Sequence, residues 1–175
     1  MSFSPVSNEG KIFIKSLDDG TTVTAQFNPK ELQIDKPVGW EPKPDTGKSN
    51  KPEDKGKKNQ GVGVQFTGAK GRSLTVELLF DGYEQGKDAY SVDVSAEIGK
   101  LEHLASVRNP GIQKEDDKRP HWCVATWGKT LSGFRCVIES LSTKYTMFDD
   151  KGSPLRATCT VKLMEADYIG KKEGQ

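Results

Sequence analysis

The sequence predicts an α+β fold, mainly antiparallel β. About seven strands form a split β-barrel or sandwich with one flanking helix. Three observations carry this. Residues 131–168 alternate with a period of two: Phe134, Cys136 and Ile138 against Arg135, Val137 and Glu139, then Leu155, Ala157, Cys159, Val161 and Leu163 against Arg156, Thr158, Thr160 and Lys162. That period belongs to strands with one buried face. Residues 72–80 repeat the pattern, with Leu74, Val76, Leu78 and Phe80 on one side. Only residues 91–107 carry apolar groups at helical spacing, namely Ile98, Leu101, Leu104 and Ala105. Strands, one helix and then more strands make an α+β order, and a closed or half-closed barrel with the helix packed outside is its natural architecture.

Taken in order, residues 11–16 and 21–27 read as two short strands joined by Asp18-Asp19-Gly20, the clearest hairpin signal in the chain. Asn28-Pro29 breaks the second, because proline removes a donor and restricts the residue before it. Residues 31–36 make a third short strand, with Leu32 and Ile34 inward. Residues 41–60 differ in kind. They hold six Lys, four acidic residues and three Pro, and no apolar side chain. Such a segment cannot bury enough surface to offset its ordering entropy. Its interleaved acids and lack of aromatics speak against a nucleic-acid arm. It is expected to be a long polar loop, mobile in the free subunit and ordered on contact with a neighbour, within one domain spanning residues 1–175.

The strand at 72–80 closes at Asp81-Gly82. Ser91 or Asp93 caps the helix, and Asn109-Pro110-Gly111 ends it. Residues 113–119 form a charged loop and 120–127 the next strand. Residues 131–168 read as two long strands separated by a shorter one and a turn. Asp149-Asp150-Lys151-Gly152-Ser153-Pro154 has the residues of that turn, since Asp tolerates turn geometry and Gly allows positive φ. No internal repeat is visible.

The formal net charge of +1 gives no support for a nucleic-acid or membrane surface. No apolar run approaches the roughly 18 residues that span a bilayer, and the N-terminus lacks the basic and apolar regions of a secretory signal. Assembly in the cytoplasm is expected. Three cysteines, Cys123, Cys136 and Cys159, are odd in number, widely spaced and set in strand patterns. They read as small buried hydrophobes in preference to a redox or metal site.

A search for chemistry returns little. His103 lies among charged residues on the helix and reads as a solvated histidine. His121 begins a strand beside Trp122 and Cys123, but no second ligand pair has metal-site spacing. The acidic doublets Asp18-Asp19, Asp116-Asp117 and Asp149-Asp150 fall in predicted loops and read as turn chemistry. Gly61-Val62-Gly63 lacks the third glycine and following helix of a dinucleotide site. Trp127, Phe134, Tyr145 and Phe148 could line a pocket, but at strand spacing they read as core or interface. No catalytic residue, no cofactor and no metal site is expected.

Several stretches together resemble a known family. Phe27-Asn28-Pro29-Lys30-Glu31-Leu32 follows the opening hairpin, and Phe66-Thr67-Gly68 precedes Leu74-Thr75-Val76-Glu77-Leu78-Leu79-Phe80-Asp81. Trp127-Gly128 precedes Phe134. Glu139-Ser140-Leu141 leads through Tyr145 and Phe148 to Gly152-Ser153-Pro154-Leu155-Arg156-Ala157. This series resembles the tube-protein domain of contractile injection systems, the phage-tail-like particles of bacteria, over residues 11–168. The resemblance implies a β-barrel-like sandwich with one flanking helix toward the outside. It also implies a homo-hexameric ring that starts the inner tube on the spike and baseplate, or forms a tube layer. Its partners would be inner tube subunits, a trimeric spike protein and baseplate components, with no nucleic acid and no membrane. The finished particle could be released from the cell. Many hub members of the family carry a C-terminal peptidoglycan-binding LysM module. Here the chain ends at Gln175, soon after the last strand, which favours a plain tube-initiating adaptor over a full hub protein.

Two other readings stay open at this point: a cargo or effector adaptor in the same particle, and a small hydrolase. An enzyme should show a pocket with convergent titratable groups. A ring-former should show open strand edges and apolar patches.

Overall fold

The computed structural model describes residues 10–43, 63–83, 92–113 and 118–166. Wherever period-two alternation was strongest, strands form. The elements in order are β1 (Phe13–Ser16), β2 (Thr22–Thr24), β3 (Leu32–Asp35), β4 (Val38–Pro42), β5 (Val64–Ala69), β6 (Ser73–Asp81), α1 (Val94–Ala105), β7 (Cys123–Trp127), β8 (Leu131–Phe148) and β9 (Pro154–Glu165). Two compact units result, one of residues 1–35 and 72–175, the other of residues 36–71.

The larger unit is a seven-stranded sheet in the order β2-β1-β7-β8-β9-β6-β3. Every neighbouring pair is antiparallel. Its core face is the one the alternation marked. Leu74, Val76, Leu78 and Phe80 of β6 are buried together with Ala157, Cys159, Val161 and Leu163 of β9. Ile14, Val23, Ala125, Phe134, Cys136 and Ile138 extend the same cluster across β1, β2, β7 and β8.

The helix is positioned by its own sequence. Asp93 caps it, its Oδ1 accepting from the Ala96 N–H at 3.0 Å; Ser91 lies outside the described residues. Val94, Ile98, Leu101 and Leu104 form the buried stripe. α1 touches β2 at one edge of the sheet, β6 near the other, and β8 and β9 between them. The helix therefore lies across the width of the sheet.

This corrects the barrel part of the expectation. The sheet does not close, because β2 and β3 each pair with one strand only among the described residues. The flanking helix is present as expected, and its apolar stripe packs in the core with the sheet. The architecture fits a β-sandwich more than a barrel.

Both turns that glycine was expected to allow do use it. Gly20 has φ +78° in the β1–β2 turn and Gly152 has φ +84° in the β8–β9 turn. In the latter, Asp149 Oδ1 accepts from the Lys151 and Ser153 N–H groups at 2.9 and 2.7 Å, which is the turn role assigned to that doublet.

The segment from Leu131 to Phe148 differs from expectation. The shorter strand foreseen within residues 131–168 is the far half of β8, one strand of 18 residues. A bulge between Ile138 and Ser140 shifts its register against β9. Inward positions pass from even numbers (Phe134, Cys136, Ile138) to odd ones (Leu141, Thr143), as an extra residue in one strand requires.

The smaller unit is an antiparallel hairpin of β4 and β5. Glu41 and Pro42, expected to open the polar loop, instead end β4. The rest of that loop from residue 44 onward lies outside the described residues.

At the end of the β6–β9 pairing, Asp81 stands opposite Arg156. Its Oδ2 accepts from Arg156 Nη2 at 2.6 Å and Nε at 3.0 Å. Burial alone would raise the Asp81 pKa, but the Arg156 hydrogen bonds, the Tyr83 N–H and the guanidinium charge outweigh it and leave it lowered. A carboxylate depressed in the folded state stabilises above its unfolded value, near 3.9, and loses that contribution as pH falls through the folded value. Asp81→Asn should cost about 0.5–1 kcal/mol at neutral pH, since the pair is partly solvated. In urea melts at stepped pH, the gap between wild type and variant should close in acid. A gap that persists unchanged below the unfolded value would contradict this assignment.

Candidate functional site

The most unusual surface is the β4–β5 hairpin. Trp40 pairs directly with Phe66 and Pro42 with Val64, so these four side chains share one face. The two rings meet edge to face, with centroids 5.5 Å apart and planes at 62°. They are nevertheless 59% and 56% exposed, and Val64 and Val38 are exposed too. No residue of β4 or β5 is buried. A two-stranded ribbon by itself is at best marginally stable in water, and large exposed aromatic groups mark an interaction surface.

A second set of features lies on the seven-stranded sheet. Among the described residues, no strand lies beside the outer edges of β2 and β3, which offer backbone N–H and C=O groups. Phe27 and Leu79 are exposed and flank a groove of about 390 Å³ that also carries Pro29, Lys30 and Glu77. The stretch from Phe27 to Glu31, part of the family-like series, runs along it. The groove holds no histidine, cysteine or serine that could serve as a nucleophile beside a base. A smaller cleft of about 220 Å³ is lined by Ile34, Leu131 and Phe134 and by an ion pair, Arg72 to Glu165 at 2.7 Å. The Arg72 guanidinium lies 5.2 Å from the centre of the Phe134 ring. That arrangement packs and pairs its charges and leaves no base poised over a substrate position.

The third feature is polar and was not legible as a unit. The doublet Asp18-Asp19 does form the expected turn, but it also gathers groups from remote parts of the chain. Asp18 accepts from Arg108 Nη1 at 2.9 Å, from Arg119 Nη1 and Nη2 at 3.0 Å each, and from the Trp122 N–H at 2.8 Å. Asp19 Oδ2 lies 2.8 Å from His103 Nε2 in the last turn of α1. That hydrogen bond, with the Thr21 N–H, holds the Asp19 carboxyl well below the usual carboxylate range. His121, just before β7, packs its ring 4.6 Å from that of His103. Burial above all lowers the His121 pKa and favours its neutral form. His103 is thus a surface histidine, as read from the sequence, but one with a fixed partner.

The remaining sequence candidates are dispersed. Cys123, Cys136 and Cys159 are all buried and unbridged. Burial pushes the first two thiols up to about 12 and raises the third, so none is a ready nucleophile. Phe134 is core, and Trp127 packs at its margin while its Nε1–H donates to the Gly10 carbonyl at 3.1 Å. Tyr145 and Phe148 are exposed together at the far end of β8, their ring centres 6.4 Å apart. The four aromatics do not share a pocket. Asp116, Asp117, Gly61 and Val62 lie outside the described residues. No described helix is long and apolar enough to cross a membrane.

What sequence reasoning missed was the face of β4 and β5. The alternation Val38, Trp40 against Gly39, Glu41 was there to be found, as was Val64, Phe66 against Gln65, Thr67. Both runs are short and flank a polar stretch that dominates the composition. Comparison with known proteins adds one match: the family model for the contractile injection system tube protein aligns with residues 11–173. No curated protein matches the chain in a sequence search.

Proposed function

Because this chain belongs to the contractile injection system tube protein family, we propose that it is a structural subunit that assembles into a homo-hexameric ring and starts the inner tube on the spike and baseplate. The observation that carries the reading is the bare aromatic face of the β4–β5 hairpin, Trp40 with Phe66. Such a ribbon needs a cover, and a neighbouring subunit is the cover that tube formation supplies. The open edges of β2 and β3 are further places where subunits can extend a sheet from one to the next.

On this reading the chain is not an enzyme. Its partners are copies of itself, inner tube subunits, the trimeric spike and baseplate components. It assembles in the cytoplasm and ends in a phage-tail-like particle.

The test is a paired substitution, Trp40→Ser with Phe66→Ser. Both side chains are more than half exposed, so the melting temperature of the isolated subunit should stay nearly unchanged. Assembly into rings or tubes, followed by sedimentation, should be lost. A double variant that assembles as well as the wild type would overturn the reading.

A further inference from the structure

Three side chains far apart in the chain converge at the closed end of the β1–β2 turn: Asp19 from the turn, His103 from the last turn of α1, and His121 from the residues leading into β7. One ligand-capable atom of each lies within 4.8 Å of the others. Asp19 Oδ2 to His103 Nε2 is 2.8 Å and Asp19 Oδ1 to His121 Nδ1 is 3.8 Å. Two ligands on one tetrahedral zinc, with bonds of about 2.0–2.1 Å, stand about 3.4 Å apart. One observed separation is shorter and the other longer than that value, and they run to different oxygens of Asp19, so the side chains rotate to share one ion.

The protonation pattern around His121 is fixed by Ser16. Ser16 Oγ accepts from the Asp18 and Asp19 N–H groups at 3.1 and 3.2 Å. Both of its lone pairs are then engaged, and its own proton is left for His121 Nδ1, 2.8 Å away. His121 Nδ1 is therefore an acceptor and carries a lone pair. Asp19 Oδ1, which also accepts from the Thr21 N–H at 2.9 Å, lies 3.8 Å away, and a cation between the two atoms takes over the lone pair that now accepts from Ser16. His121 is 2% exposed, whereas the Asp19 and His103 side chains are open to solvent on one side. One ligand is thus buried in the body, and the other two stand at an accessible mouth.

We propose that Asp19, His103 and His121 bind one divalent transition-metal ion, zinc by preference, with water completing the coordination from the open side. Two imidazoles and one carboxylate suit zinc, copper or nickel over magnesium or calcium, which favour all-oxygen sites. On binding, His103 carries its proton on Nδ1 so that Nε2 can ligate, and Ser16 yields its hydrogen bond to His121. The ion clasps the β1–β2 turn, the end of α1 and the start of β7 together. Local spacing could not reveal such a site, because its ligands come from three separate segments.

The experiment uses the untagged full chain, stripped with chelator and titrated with zinc chloride by calorimetry, then with cobalt(II) by absorption. Expected are one ion per chain, a raised melting temperature reversed by chelator, and the visible cobalt band of a tetrahedral nitrogen–oxygen site. His103→Ala and Asp19→Ala, both at exposed positions, should each weaken zinc binding by at least about tenfold. His121→Ala is not relied upon, since truncating a buried ring can unfold the chain. Absence of saturable binding, or binding that survives both His103→Ala and Asp19→Ala, would overturn the proposal.

Discussion

Phe80→Ala should destabilise the chain by about 3–5 kcal/mol, as truncation of a buried aromatic does. Phe80 is fully buried on β6, directly opposite Ala157 of β9, on the face that α1 covers. A small partner across the strand leaves the phenyl ring to fill the space between sheet and helix. Its loss opens a cavity that the small Ala157 cannot refill. Leu78, on the same face two residues earlier, should cost about 2–5 kcal/mol on truncation to alanine. Phe80→Leu, which keeps most of the volume, should cost less than Phe80→Ala. Midpoints and slopes from guanidinium melts would give these values. A change below about 1 kcal/mol for Phe80→Ala would mean that this face is not the buried one.

Asp18→Ala should cost about 2–4 kcal/mol, the second largest effect expected. Its carboxylate holds four donors from three residues, two of them guanidiniums, and its side chain is only 12% exposed. Hydrogen bonds to charged groups contribute about 1.5–3 kcal/mol each, and donors left without an acceptor add their desolvation cost. The Arg119 guanidinium also lies 5.1 Å from the centre of the Trp122 ring, so loss of Asp18 loosens a stacked arrangement as well as an ion pair. Asp18→Asn, which keeps one acceptor oxygen, should recover part of the loss. If Asp18→Ala melts like the wild type, the turn is not anchored through this residue.

The sequence showed the core more clearly than the surface. Alternation in β6 and β9 located every buried residue of those strands, because a strand with one wet face must alternate. The helix announced itself through Ile98, Leu101 and Leu104, and its cap through Asp93. The continuity of β8 was hidden by its own bulge: past Ile138 the inward set changes parity, and a fixed period-two reading sees a break there. The edges were hidden for a different reason. Whether a sheet closes depends on pairing between β2 and β3, which no local pattern encodes. The pairing of Trp40 with Phe66 escaped notice because exposed apolar residues on a short ribbon carry no burial signal. The cluster of Asp19, His103 and His121 depends on tertiary placement alone, and each member taken singly looks like an ordinary turn or surface residue.

In a tube ring, a neighbouring subunit should cover the aromatic face of the β4–β5 hairpin. Electron cryomicroscopy of particles assembled with this chain tests it most directly. A hexameric ring of this chain should stand at the base of the inner tube, with Trp40 and Phe66 buried against the adjacent copy. Particles whose tube lacks the chain, or a ring in which both rings of that aromatic pair still face solvent, would contradict it.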